Sequence, residues 1–259
     1  MSSFFYASAS SLVAPLLSSL GQGAELLLPR LCASCKASLP QLPFSGPLCP
    51  LCQKLLALAG LDCALAATSF GQLPVFTAGV YEHELARCIL AFKDGGRRDL
   101  LAELLPALRR ALVGALGELG PYQLPLCLLP VPSSAASIRR RGFAPADLLA
   151  RGLAASVSDP QLLVYLPALR VKASWQGRRQ KELGQRARGQ ARQGSMRLAR
   201  PPAAFLGRCW DLEGRSCLLV DDVVTSGASM AEAQRVLEQA GGRVLAGLAL
   251  ARVPLRGRS

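Results

Sequence analysis

The chain has 259 residues, 51% of them apolar but only 5% aromatic, so it can bury a real core and must pack it mainly with Leu, Ala and Val. Its net charge is +13, from 30 Lys plus Arg against 17 Asp plus Glu, a balance that favours a polyanionic partner: nucleic acid, a phosphorylated metabolite or an anionic membrane surface. The single histidine, His83, rules out a multi-histidine metal site. Its setting, Tyr81-Glu82-His83-Glu84, reads as a polar strand-to-helix corner.

Residues 1–28 form an apolar, Ser-rich leader, helical from about Ser10. It lacks a basic first stretch and carries Gln22, Gly23 and Glu25, which argues against a signal peptide. Pro15, Gly21 and Gly23 interrupt it, so no stable transmembrane span is expected. It reads as a helix packed on its own protein, with peripheral contact at the inner face of the membrane as the alternative.

Residues 29–65 hold two C-x-x-C pairs, Cys32/Cys35 and Cys49/Cys52, separated by thirteen residues. Each pair turns a knuckle that brings two thiolates to one side. Two knuckles complete a tetrahedral four-sulfur site, which suits structural Zn2+ in a segment too small to fold on its own core. Redox dithiols or unliganded cysteines are the competing readings. Nine cysteines in all, five of them scattered in apolar context, do not make a secreted disulfide framework, and we read a reducing, cytoplasmic compartment. Pro40, Pro43, Pro47 and Pro50 mark turns rather than long elements, and residues 66–74 read as a linker.

From 75 to 255 short apolar runs alternate with helical periodicity, the pattern of an α/β domain with a largely parallel sheet. The expected order is strand 75–81, helices 84–92 and 98–116, strand 125–131, helix 144–155, strand 162–166, strand 217–220, helix 229–240 and strand 244–251. Arg139, Arg140 and Arg141 fall at the mouth of the sheet, where guanidinium forks would suit a pyrophosphate; a solvated basic turn is the plainer alternative. Residues 170–200 hold ten Lys or Arg and one acid, Glu182, with little apolar periodicity, and read as a functional loop or solvated excursion.

The run Leu218 to Ser229 carries the most chemistry. A buried strand delivers Asp221 and Asp222 to its C-terminal end; Val224, Thr225, Ser226, Gly227, Ala228 and Ser229 then lead into a helix. Ligands of open α/β sheets bind at such strand ends, and a helix N-terminus offers unpaired N–H groups and a positive dipole to phosphate. Gly227 allows close backbone approach. The two acids make sense gripping ribose hydroxyls or standing near a cation, and on an extended chain they face opposite ways. A strand-loop-helix with a capping Ser or Thr and no ligand is the competing reading.

This run resembles the signature of type I phosphoribosyltransferases, which implies that it holds the ribose and 5-phosphate of phosphoribosyl pyrophosphate (PRPP). Leu129-Pro130-Val131-Pro132, then Arg140-Arg141-Gly142-Phe143, then Leu148-Leu149-Ala150 resembles the V-P-V-P, R-R-G-F and L-L-A pattern of the ComF family of competence and DNA-utilisation proteins. Gln180, Leu183 and Arg188 match that family's Q-x-x-L-x-x-x-x-R stretch, and Phe92-Lys93 with Gly95 and Arg97 matches another. The resemblance spans 29–252. It implies a type I phosphoribosyltransferase fold with an N-terminal zinc module, PRPP with Mg2+ as ligands, Asp221 and Asp222 as catalytic residues, and Arg139 to Arg141 and Arg188 on the pyrophosphate. It further implies a part in using imported DNA, with single-stranded DNA and a competence helicase or DNA-processing protein as partners. The chain departs from the family at Ala144 and Ala191, where Asn is usual, and Cys63 stands alone where a second cysteine pair would be.

Overall fold

The computed structural model describes residues 30–39, 46–59, 64–66, 72–159, 161–173, 193–201 and 210–254. The expected leading helix, Cys63, Gln180, Leu183, Arg188 and Ala191 lie outside the described residues.

Eight strands and six α-helices are described. In chain order they are α1 (Pro50–Ala59), β1 (Ala64–Ala66), β2 (Val75–Val80), α2 (His83–Lys93), α3 (Leu101–Glu118), β3 (Leu126–Pro130), α4 (Ala135–Arg141), α5 (Pro145–Ala155), β4 (Leu163–Tyr165), β5 (Leu169–Val171), β6 (Met196–Leu198), β7 (Ser216–Val224), α6 (Ala228–Glu238) and β8 (Arg243–Arg252). The main sheet has the order β1-β2-β8-β7-β3-β4; β1 is antiparallel and the other five strands are parallel. β5 and β6 form a separate antiparallel ribbon.

Sequence periodicity explains which faces are covered. In α2, Leu85, Cys88, Ile89 and Phe92 recur at helical spacing and are buried. In α3, Leu104, Ala107, Leu108, Ala111, Leu112 and Ala115 do the same. Together with α5 these helices cover one face of the sheet, over Leu218, Val220 and Leu248. α6 covers the other face through Met230, Ala233, Val236 and Leu237, over Leu129, Leu219 and Ala249. Helices on both faces and strands buried throughout are the mark of a parallel α/β sheet.

Several elements differ from the sequence expectation. The cysteine region contains a ten-residue helix, α1, because Pro50 occupies its first position, where a missing N–H costs nothing. β7 does not end at Val220. It runs to Val224, since β8 pairs with it as far as Val224↔Arg252. The basic stretch is not loop throughout: its two ends form the ribbon β5–β6, where buried Leu169 and Met196 alternate with exposed Arg170 and Arg197.

The cysteine region packs directly on the α/β core. Leu48, Cys52 and Leu56 join Leu85, Cys88 and Leu104 in one hydrophobic cluster. The end of α1 presses on β2 where a Cβ at Gly79 would lie 2.6 Å from the Ala59 carbonyl oxygen, so only glycine fits that contact.

Candidate functional site

The chain passes from β3 outward to β4 and then back through β7 to β8, on the opposite side. β3 and β7 are adjacent. Their onward connections therefore diverge, which makes this pair the switch point where open α/β sheets bind ligands. β3 pairs with β7 only as far as Pro130↔Val220, and the Val131 N–H donates to the Val220 carbonyl at 2.8 Å. Beyond that point β7 continues without β3, so Asp221 and Asp222 lie where the sheet opens into a notch.

A cavity of about 530 Å³ fills this notch. Its walls come from the end of β7 and its turn (Asp221, Asp222, Thr225, Ser229), the β3–α4 connection (Ser133, Ser134), α4 (Ser137, Arg141), the end of α2 (Lys93, Asp94), and Val171 and Met196 of the ribbon with the adjoining Ser195. The segment between β5 and β6 thus starts and ends at the cavity rim, with the Lys172 N–H donating to the Ser195 carbonyl at 2.8 Å.

Both acids line the cavity, so the alternation expected of an extended strand does not take them to separate sites. Asp222 is 4% exposed and its Oδ2 lies 2.7 Å from Lys93 Nζ, while its Oδ1 accepts the Val223 N–H at 2.8 Å. Asp221 keeps part of its surface open, and its Oδ1 accepts the Asp222 N–H at 2.8 Å. Burial, then the neighbouring Asp222 charge, pushes the Asp221 carboxyl well above the usual carboxylate range; Lys93 works in the other direction.

The turn after β7 is open to a ligand. Among the described residues, the backbone N–H groups of Thr225, Ser226 and Gly227 donate to no carbonyl. The Ala228 N–H meets only the Ser226 hydroxyl, at 3.4 Å. Gly227 sits at φ 83°, the left-handed region that glycine adopts without strain, and directly precedes α6. Val224 and Ala228 are buried and frame the turn; Thr225 is exposed and Ser226 and Ser229 are half-buried.

The arginine triplet divides. Arg141 lines the cavity and its Nε donates to Asp94 Oδ1 at 2.9 Å. Arg140 is exposed, 3.7 Å from the same oxygen, and Arg139 is exposed on α4 outside the cavity wall. The triplet belongs to a short helix rather than a turn. Ser134 caps it by accepting the Ser137 N–H at 3.2 Å, and Gly142 ends it at φ 77°.

Phe143 then packs into the core, edge-on to Phe92 at 5.5 Å and beneath Arg98 at 4.7 Å. Arg98 also donates to the Gly142 carbonyl at 2.8 Å. The Arg-Gly-Phe run therefore fixes where Arg141 stands. Ala144 is the N-cap residue of α5, in extended conformation and without a side-chain cap. Asn at this place would cap the helix, so Ala144→Asn is expected to stabilise the fold by about 1 kcal/mol, read as a higher midpoint in urea unfolding.

Lys93 is the site residue that physical reading of the sequence passed over. Its only signal was the Phe-Lys pair in the family resemblance, since a lysine at a helix C-terminus is otherwise a favourable charge against the dipole.

The four cysteines converge as their spacing predicts. The sulfurs of Cys32, Cys35, Cys49 and Cys52 all lie within 4.8 Å of one another, and Cys35 and Cys49 are 3.8 Å apart. Sulfurs bound tetrahedrally at the Zn–S distance of about 2.3 Å stand roughly 3.8 Å apart, so the cluster fits zinc. The first knuckle is built by the Cys32 N–H to Ala37 carbonyl bond and the Lys36 N–H to Cys32 carbonyl bond, and the Cys49 N–H points at the Cys32 sulfur at 3.3 Å.

Burial opposes ionisation of Cys32, but N–H groups of Cys49, Cys35 and Ser34 outweigh it and hold the thiol at about 6. Burial pushes Cys52 up to about 12. All four positions would be taken by protein sulfur, which makes the cluster structural.

Compared with known proteins, the chain matches no family model, and no curated protein matches it. The fold and sites themselves define an α/β protein with a mostly parallel sheet, helices on both faces and a four-cysteine cluster compatible with zinc. Among the described residues no helix is long and apolar enough to cross a membrane.

Proposed function

We propose that the chain is a PRPP- and Mg2+-binding phosphoribosyltransferase-like protein of the ComF type, with structural Zn2+ on its four cysteines, acting in the use of imported DNA. The observation that carries the binding claim is the turn at 225–227. Its donors are unclaimed by other described residues, it precedes a helix N-terminus, and it adjoins two strand-borne acids at the sheet's switch point.

In this reading the N–H groups of the turn and the hydroxyls of Thr225, Ser226 and Ser229 hold the 5-phosphate. Asp221 and Asp222 accept hydrogen bonds from ribose hydroxyls and stabilise positive charge at the anomeric carbon. Lys93 and Arg141 face the pyrophosphate. The carboxylate pair suits a hard cation with oxygen ligands. A doubly charged ion beside Asp221 would offset the repulsion that holds its proton, and when bound it neutralises charge on the pyrophosphate. The Lys172–Ser195 bond keeps both ends of the basic segment, which carries Arg188, at the rim. A PRPP sensor without turnover is the alternative, separated by measuring pyrophosphate release across a panel of bases and amines.

Thermal unfolding tests the binding claim. PRPP with Mg2+ at about a hundred times its Kd is expected to add roughly 2.7 kcal/mol of stability. Ribose 5-phosphate should add less. No shift with PRPP at any concentration contradicts the reading.

A second reading, single-stranded nucleic-acid binding, is favoured by one observation. Arg170 and Arg197 are register partners on the ribbon, both exposed, and share a surface cleft with Arg200. Like charges directly opposite one another destabilise a ribbon, and a phosphodiester chain would relieve that repulsion. Reversing both charges (Arg170→Glu with Arg197→Glu) should weaken oligonucleotide binding at low salt and flatten the log K against log salt slope by about 1.4. Asp221→Ala should leave that slope alone. An unchanged slope in the double variant removes the ribbon from the interface.

A further inference from the structure

Both cations on the cavity wall are already paired with a carboxylate. Lys93 holds Asp222 at 2.7 Å, and the next residue, Asp94, holds Arg141 at 2.9 Å. The end of α2 thereby ties β7 to α4 with two ion pairs of opposite polarity. The Arg141 side chain is 12% exposed and that of Lys93 29%, so both cations are partly withdrawn from water and face the same cavity as the turn. Of the described lining residues, the charged ones are Lys93, Asp94, Arg141, Asp221 and Asp222, two cations against three acids. A phosphate ligand thus meets cations whose fields are cancelled by carboxylates within hydrogen-bond distance.

We propose that Asp94 sets the anion specificity of this wall, by competing with an incoming diphosphate for Arg141. This rests on reading the cavity as a phosphate site. A weakly charged anion does not displace Asp94 from the guanidinium. A diphosphate, with several negative charges and oxygens that match the guanidinium fork, does. Asp94 is the exposed partner of its pair, at 42% of its side-chain surface, so it can swing out to solvent while Arg141 stays in place.

Lys93 behaves differently because Asp222 is buried and fixed by the Val223 N–H. It serves the anion without leaving its carboxylate, using its remaining ammonium hydrogens. Asp94 touches no other described acid or base except Arg140 and Arg141, so its removal changes the charge balance with little else disturbed.

The test is titration calorimetry with inorganic pyrophosphate and with monovalent acetate, in metal-free buffer, on the full chain. Asp94→Asn is expected to bind pyrophosphate about fivefold more tightly than wild type and to gain acetate binding that wild type lacks. Adding Arg141→Gln should abolish both gains, while Arg141→Gln alone, starting from an arginine already occupied by Asp94, should cost much less. Lys93→Gln should weaken pyrophosphate in either background. Asp94→Ser serves as a second variant should the amide disturb the turn at Gly95, and melting curves establish that each variant is folded.

A gain of affinity cannot arise from misfolding. Equal or weaker pyrophosphate binding in both Asp94 variants overturns the inference. The ribose is absent from the probe, so failure of PRPP recognition leaves this outcome readable. Conversely, PRPP binding that is unaltered by Asp94 retains the function and discards the competing carboxylate.

Discussion

Stripping metal from the four-cysteine cluster, or replacing Cys52 by Ser, is expected to lower the melting temperature by roughly 6–10 °C, the equivalent of about 3–5 kcal/mol in a chain of this size. The size of the effect follows from where the cluster sits. Cys32 and Cys52 are buried in the same hydrophobic cluster as Leu85, Phe92 and Leu104, so loosening the knuckles uncovers α2 and α3 rather than a detachable tail. Gln53 also bonds Glu103 of α3, at 3.1 Å, and Arg97 donates to the Leu31 carbonyl at 3.3 Å. Without metal the four sulfurs are left close together, with Cys32 ionised above about 6.

Zinc must displace the Cys52 proton, held up to about 12 without metal. Affinity should therefore fall by at least tenfold per pH unit on acidification, and more steeply below about pH 6, where Cys32 also takes a proton. A competition titration with a chromogenic chelator across pH reads this directly, and a flat profile would show that thiolates do not hold the metal.

Asp221→Asn should make the protein more stable and less able to bind. Burial and Asp222 raise the Asp221 carboxyl in the folded state above its unfolded value. The folded chain therefore keeps a proton that the unfolded chain releases near pH 4. Stability is full below that unfolded value and is lost as pH rises through the folded one. The amide removes this loss. The variant should gain on the order of 0.5–2 kcal/mol at neutral pH and converge on wild type near pH 4, measured by urea unfolding at each pH. Its PRPP affinity should fall by about ten- to hundredfold, the worth of charge-assisted hydrogen bonds to the ribose. A binding residue that costs stability is the signature of a functional site; a variant both less stable and fully competent would make Asp221 structural instead.

Much of this was legible before any coordinates. Strands β2, β3, β7 and β8 and helices α2, α3, α5 and α6 all announce themselves, because continuous apolar runs and helical spacing report burial on two faces or one. The cysteine cluster was legible for a different reason: two identical knuckles leave their thiols little choice. α4 was not, since Ala135 to Arg141 buries nothing and so leaves no periodic trace. The ribbon was hidden by its three-residue strands, in which single apolar residues alternate with arginine. The extra length of β7 is set by β8, a partner that strand propensity does not see.

Asp221 and Asp222 could be placed from their own surroundings in sequence. Their consequences could not. Lys93 reaches Asp222, and Asp94 reaches Arg141, only because α2 and α4 meet over the notch left where β3 ends. The Arg-Gly-Phe run likewise reads as a ligand motif in sequence, whereas its glycine and phenylalanine anchor the helix that carries Arg141.

Titration calorimetry of the full chain with PRPP and Mg2+, wild type against Asp221→Ala with Asp222→Ala, addresses the central claim most directly. Saturable heat from the wild type and none from the folded double variant is the predicted result. No heat from the wild type, or the same heat from both, would contradict it.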